Sequence, residues 1–273
     1  MVMLVSPGQR FESSPTSSSA QTTVTADGST NTKGAFAQLI AATAFKAEGI
    51  LVTVKRLSGN TADHLIDIAI GAALSEVVII PNILLSSKGG VANDFCIGNF
   101  YVPFHIPAGT RIAARSQSTT GSATVTVGVT LVGGEGLLMC ERCETWGANT
   151  ADSGGTSVDA GASANTKGTS YAQLTASSGI DARYLVVCVG NALNGAAATA
   201  NFLLDISIGA GGSEVVIVPD LHYLTTSLTH FPAPAFIAFP CNIPAGTRVA
   251  VRSQSSTNDA TDRLTDVVIL AFG

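Results

Sequence analysis

Short apolar runs rich in β-branched residues recur along the chain, with partial alternation of apolar and polar positions. Ile50 to Leu57 (ILVTVKRL), His64 to Gly71 (HLIDIAIG), Ser75 to Leu85 (SEVVIIPNILL), Thr110 to Ser118 (TRIAARSQS) and Ala123 to Gly133 (ATVTVGVTLVG) are separated by clusters of Gly, Asn, Ser and Pro. Runs of this kind between turn residues predict strands. The order returns later as YLVVCVG, FLLDISIG, SEVVIVPDLHYL, TRVAVRSQS and DVVILAFG. Helix signals are few. Six to eight short strands in about 110 residues, without helical spacers, predict an antiparallel β-sandwich of jelly-roll type.

The repetition extends to particular residues. IPAGTRIAARSQS (Ile106 to Ser118) and IPAGTRVAVRSQS (Ile243 to Ser255) share eleven of thirteen residues, 137 positions apart. STNTKGAFAQL returns as SANTKGTSYAQL, and LIDIAIGAALSEVVIIP as LLDISIGAGGSEVVIVP. Blocks in the same order at nearly the same spacing mark a whole domain duplicated. The expected class is therefore all-β, with two tandem antiparallel β-sandwich (jelly-roll-like) domains. Residues 1–24, where Ser and Thr dominate from Ser13 to Thr23, read as an extended N-terminal arm. The first module then spans 25–133, a linker 134–157 and the second module 158–273.

Composition removes several function classes. With 46% hydrophobic and 12% charged residues the chain is able to bury two cores. Its 14 basic residues against 19 acidic ones, without a basic cluster, lack the electrostatic footprint of nucleic-acid binding. No apolar run approaches the length of a membrane span, and the opening MVMLV is too short for a signal-peptide core. The expectation is a soluble protein with no nucleic-acid or membrane partner and no cofactor.

The duplication keeps charges of both signs. After the Pro-Ala-Gly turn, Arg111 and Arg115 share one strand face, as do Arg248 and Arg252 in the second copy. Asp67 and Asp205 interrupt apolar strands, and Glu76 and Glu214 begin the strands that follow. A carboxylate on a sandwich strand is costly unless paired. These eight residues are expected to form structural charge pairs inside each module; a glycan or polyanion site on the arginine face is the alternative.

Other candidates for chemistry are weaker. Cys96, Cys140, Cys143, Cys188 and Cys241 are odd in number and unmatched between copies, which argues against a disulfide framework. CERC has the spacing of half a zinc site without a second half. GAGGSE (Gly209 to Glu214) imitates a phosphate loop, but its counterpart GAALSE lacks two glycines, and neither precedes a helix. Among the histidines His64, His105, His222 and His230, the first two match Phe202 and Asn242, so no histidine role is shared. Asp67 with Glu76 is not specific enough for a glycosidase pair. Trp146 is expected to cover the junction between domains or subunits. The chain reads as a non-enzyme.

ETWGANTADSGGTSVDAGASANTKGTSYAQLTASS, followed by LLDISIGAGGSEVVIVPDL and IPAGTRVAVRSQSS, resembles structural proteins of tailed-bacteriophage virions. The similarity covers the second module and most of the first; GQRFESSPTSSSAQTTVTADGS replaces the Glu-Thr-Trp-Gly segment at the start. The resemblance implies a virion component of tail, baseplate, collar or capsid decoration, made in the host cytoplasm and bound to other virion proteins. A host-attachment module binding cell-surface glycan is the alternative. Duplicated domains also suggest a homo-oligomer, a homotrimer presenting six similar units around an axis.

Overall fold

A computed structural model describes residues 10–14, 21–56, 62–86, 97–134, 140–191, 200–225, 236–257 and 264–273. Cys96, His230 and most of the expected N-terminal arm lie outside them. The first module contains β1 (Arg10–Ser14), β2 (Thr22–Thr25), β3 (Ala37–Ile40), β4 (Gly49–Arg56), β5 (His64–Ile70), β6 (Val77–Leu85), β7 (Ile97–Val102), β8 (Ile112–Ser118) and β9 (Thr124–Gly133). The second contains β10 (Cys143–Trp146), β11 (Thr156–Asp159), β12 (Ala172–Thr175), β13 (Ala182–Asn191), β14 (Ala200–Ile208), β15 (Val215–Thr225), β16 (Phe236–Ile243), β17 (Val249–Ser255) and β18 (Leu264–Phe272).

Each module is two antiparallel sheets face to face. In the first, β9 lies between β4 and the successive strands β1 and β2, and β7 closes that sheet; the facing sheet runs β3-β8-β5-β6. The second repeats the plan, with β10 and β11 on β18, then β13 and β16, facing β12-β17-β14-β15. This interleaving is a jelly roll, and the chain is two of them in tandem.

Two expected boundaries are corrected. Arg10 to Ser14 is not a free arm, because it pairs along Val129 to Gly133. Ser14 donates its hydroxyl to the Leu39 carbonyl, and Glu12 Oε2 accepts the Ala44 N–H at 2.8 Å. Nor is 134–157 simply a linker, since β10 and the start of β11 pair with β18 of the second module. The two leading segments do the same job: each adds its own short strands to the last strand of its module. Their Ser- and Thr-rich, half-exposed sequence reflects an edge position with little apolar surface to bury.

The modules share an extensive junction. On β13, Leu185, Val187 and Val189 fill the second module's core, whereas Val186 and Cys188 turn outward into the first module's cluster. On β18 the same split separates Val267, Ile269 and Ala271 from Val268, Leu270 and Phe272. This sheet is buried on both faces, with β6 and β7 of the first module against its outer side. In the first module the equivalent outer positions are Leu51 and Thr53 on β4 and Gly128, Thr130 and Val132 on β9. Replacing Thr53, Gly128 and Thr130 by Cys188, Val268 and Leu270, and enlarging Val132 to Phe272, makes this face apolar throughout and fuses the modules, each fully buried aliphatic side chain contributing roughly 2 kcal/mol.

Candidate functional site

The expected charge pairs lie on the outward face of the β3-β8-β5-β6 sheet and its copy. Asp67 alternates with the core residues Ile66 and Ile68 on β5 and is only 3% exposed. Arg115, opposite it on β8, donates from Nε to Asp67 Oδ2 at 2.9 Å. In the second module Arg252 donates to Asp205 Oδ2 at 3.0 Å. A bulge in β6 gives Asn82 a φ of 56°, so that its N–H reaches Asp67 Oδ1 at 2.9 Å. Asp220, at φ 55, repeats this toward Asp205 Oδ1 at 3.1 Å.

A third charge completes each cluster. Lys33 Nζ donates to Asp67 Oδ1 at 2.8 Å, to the Leu65 carbonyl at 3.0 Å and to Asn82 Oδ1 at 3.0 Å. Lys167 does the same with Asp205 at 2.7 Å, the Leu203 carbonyl at 3.2 Å and the Asp220 carboxylate at 2.8 Å. Aromatic rings cover the arginines, Phe36 lying 4.6 Å from the Arg115 guanidinium carbon and Tyr171 4.7 Å from that of Arg252. The lysine ties the loop before β3 or β12 to the sheet, while the aspartate collects donors from three segments. Sequence reasoning missed Lys33, Lys167, Phe36 and Tyr171, although the repeated Asn-Thr-Lys-Gly and the aromatic a few residues on carried the signal.

Burial lowers the Lys33 ammonium below its ordinary value, with the Asp67 carboxylate opposing that shift. Burial would raise the Asp205 carboxyl, but donors from Lys167, the Asp220 N–H and Arg252 together hold it below its ordinary value. The aspartate is thereby kept anionic as an acceptor.

The second pair stands at the hairpin end of the same sheet. Arg111 Nη1 donates to Glu76 Oε1 at 2.8 Å and to the Gly71 carbonyl at 3.3 Å, and its Nε to Gln38 at 3.1 Å. Arg248 repeats all three, with Glu214 at 3.0 Å, the Gly209 carbonyl at 3.0 Å and Gln173 at 2.8 Å. For Glu76, burial acts upward but its own N–H and Arg111 prevail, so the carboxyl lies below its ordinary value. The Glu214 carboxyl is lowered by its own N–H and by Arg248, against burial. Each arginine thus clamps a hairpin to the neighbouring strand. Beside Arg248 an open cleft of about 940 Å³ is lined by Gln173, Ile208, Val215 and Thr247.

Trp146 is placed differently from the expectation. It is 1% exposed and packs within the second module's own core, with Leu174, Ile180 and Val267 in the same cluster. Alternation along β10 explains this: the residues on its outer side, Cys143 and Thr145, face the first module, and the Thr145 hydroxyl donates to the Pro81 carbonyl at 2.5 Å. Aromatic contact across the junction comes instead from Phe236 with Phe100, at 5.0 Å between ring centres, and Phe272 with Phe104, at 6.3 Å. Cys140, Cys143, Cys188 and Cys241 are free thiols, and burial raises all four, Cys188 and Cys241 to about 12. Among the described residues no group of three or more His, Cys, Asp or Glu is arranged to hold a metal ion.

No family model matches the chain, and no curated protein matches it. Among solved structures it is similar to PNGF-II at 10% identity and TM-score 0.42, covering 96% of this chain and 66% of that one. It is also similar to PNGase F, a glycosylasparaginase from Flavobacterium meningosepticum, at 10% identity and TM-score 0.41, covering 98% and 96%. A chain in the atomic structure of Sulfolobus Turreted Icosahedral Virus is matched at 10% identity and TM-score 0.38, covering 97% and 90%. At TM-scores this low the likeness assigns neither activity nor ligand to this chain.

Proposed function

We propose that the chain is a non-enzymatic structural component of a tailed-phage virion, made in the host cytoplasm and held on the particle by protein–protein contacts. The carrying observation is the use to which the repeated charges are put. Lys33, Asp67 and Arg115, their copies Lys167, Asp205 and Arg252, and both Arg–Glu clamps bind strands and loops of their own module. What the duplication preserved is a device for holding a jelly roll together. The doubly buried sheet adds a fixed relation between the modules, as a building block of an assembly requires. The resemblance of the repeated blocks to phage structural proteins supplies the particle. Quantitative mass spectrometry of purified particles, with antibody labelling under the electron microscope, tests this. A fixed copy number at one location is expected; absence from intact particles would overturn the proposal.

The open cleft beside Arg248 favours a second reading, a host-attachment module that binds surface glycan. Its polar rim of Gln173, Thr247 and Arg248 beside apolar Ile208 and Val215 suits a sugar with one hydrophobic face. Saturable binding on a glycan array would support it, and a blank array would remove it.

A further inference from the structure

Lys33, Asp67 and Asn82 hold more chemistry than an ion pair needs. Lys33 Nζ stands 3.0 Å from Asn82 Oδ1 and 2.8 Å from Asp67 Oδ1. A carbonyl bond is about 1.2 Å long, so the side-chain amide carbon of Asn82 lies roughly 3 to 4 Å from the lysine nitrogen. Reacting atoms held in a near-attack arrangement stand at about that separation. The three groups come from the loop before β3, from β5 and from β6, and each is fixed by further bonds. Lys33 also donates to the Leu65 carbonyl, Asp67 accepts the Asn82 N–H, and Arg115 holds the other aspartate oxygen. An amine, a carbonyl carbon and a carboxylate able to carry a proton are the parts of an acyl transfer.

The surroundings favour that reaction in the first module. The side chains of Asp67 and Lys33 are 4% and 18% exposed. Burial lowers the ammonium below its ordinary value against the opposing pull of Asp67, which makes the free amine easier to reach. The positive φ of Asn82 accounts for an asparagine at the bend. It does not account for a lysine from a distant loop meeting its amide. In the second module Lys167 meets the Asp220 carboxylate at 2.8 Å instead, and that carboxylate is 58% exposed. An ionised carboxylate repels an attacking electron pair and has no ready leaving group. The neutral amide of Asn82 has one in ammonia.

We propose that Lys33 and Asn82 become joined by an isopeptide bond, with Asp67 carrying the proton, while Lys167 and Asp220 remain an ion pair. Asp67 Oδ1 takes a proton from the Lys33 ammonium, and the freed electron pair on Nζ attacks Asn82 Cγ to form the new C–N bond. The bond from Cγ to the amide nitrogen breaks. That nitrogen departs as an ammonium ion with the two protons surrendered by Nζ, Asp67 is an anion again, and nothing is oxidised or reduced. Arg115 favours the anionic aspartate and so resists the first proton transfer. The bond therefore forms slowly after folding, and the newly folded chain holds the ion pairs described above. Its product ties the loop before β3 covalently to β6. The reaction does not depend on membership of a particle.

Intact-mass measurement of the denatured full chain, followed from purification through several weeks near neutral pH, tests it together with peptide mapping. The wild type is expected to lose the mass of one ammonia and to yield a branched tryptic peptide joining Lys33 to Asn82, trypsin no longer cutting after Lys33. Lys33→Arg and Asn82→Ala are expected to keep their full mass. Asp67→Ala is expected to slow the loss about 100-fold, as removal of a proton carrier does. A wild type that keeps its full mass throughout overturns the proposal. So does undiminished ammonia loss in Lys33→Arg, which would place the loss in a cyclised asparagine. A branched peptide joining Lys167 to Asp220 would overturn the distinction drawn between the modules.

Discussion

Gly98 lies against the ring of Phe236 so closely that a Cβ at residue 98 would stand 1.8 Å from the nearest ring carbon. The contact joins β7 of the first module to β16 of the second, and the same ring packs on Phe100. Gly190 meets the other side of the junction similarly, a Cβ there falling 2.5 Å from that of Ser86. Neither position has room for a methyl group unless the modules shift. Gly98→Ala is expected to cost about 2 kcal/mol by overpacking. Calorimetry checks this: the variant should melt lower, with its transition broadened or split as the modules uncouple. Adding Phe236→Leu should recover part of the loss, and failure of that rescue would place the strain elsewhere.

The aspartate clusters give a second prediction. Asp205→Ala removes the acceptor shared by Lys167, Arg252 and the Asp220 N–H, leaving Arg252 and the bulge without that partner while Lys167 keeps the Asp220 carboxylate and the Leu203 carbonyl. The aspartate is nearly buried but both cations keep some exposure, so the expected loss is about 2 kcal/mol, between the values for surface and buried pairs. Asp67→Ala should act alike in the first module, and because the sites are far apart in sequence and do not share partners, the double variant should be close to additive. Chemical denaturation of the three variants measures it.

What the sequence shows and what it hides follow from how each feature is encoded. The long central strands are legible because their β-branched runs are buried, and the eight charged residues because both copies keep them. β1 and β2 escape notice because four or five residues at an edge bury too little to impose an apolar period. Lys33 and Phe36 belong to a loop whose target, Asp67, is distant in sequence and acquires its second donor only through the bulge at Asn82. The junction was legible only in comparison of the copies: Gly128 and Thr130 become Val268 and Leu270 on the face of β18 that must be dry. Trp146 was misplaced because proximity to a boundary in sequence says nothing of which side of a strand a ring takes.

Acid should weaken the fold through the same carboxylates. Asp205, Glu76 and Glu214 all have folded-state values below their ordinary ones. The unfolded chain therefore binds protons first as pH falls. Their contribution is fully present above the ordinary values of 3.8 for Asp and 4.5 for Glu and is lost as pH drops through the lowered folded values. Denaturant midpoints measured from pH 6 to pH 2.5 should be flat at first and then fall, on the order-of-magnitude argument of linkage. Asp205→Asn should start lower and flatten the acid limb; an unchanged slope would mean other carboxyls control it.

Trp146 is the chain's one tryptophan, and it is buried inside the second module's core rather than between the modules. Its fluorescence should therefore be blue-shifted in the native protein, hardly accessible to an aqueous quencher, and should report the second module. The indole N–H has no protein acceptor among the described residues, so Trp146→Phe loses ring volume but also removes a buried donor left unbonded. The expected net cost is about 2 kcal/mol, smaller than a full truncation to Ala at about 4 kcal/mol. Variants confined to the first module provide the check: Asp67→Ala should shift the calorimetric transition while the tryptophan signal follows the second module. A fluorescence midpoint that tracks Asp67→Ala as closely as Asp205→Ala would mean that the junction makes the two jelly rolls unfold as one.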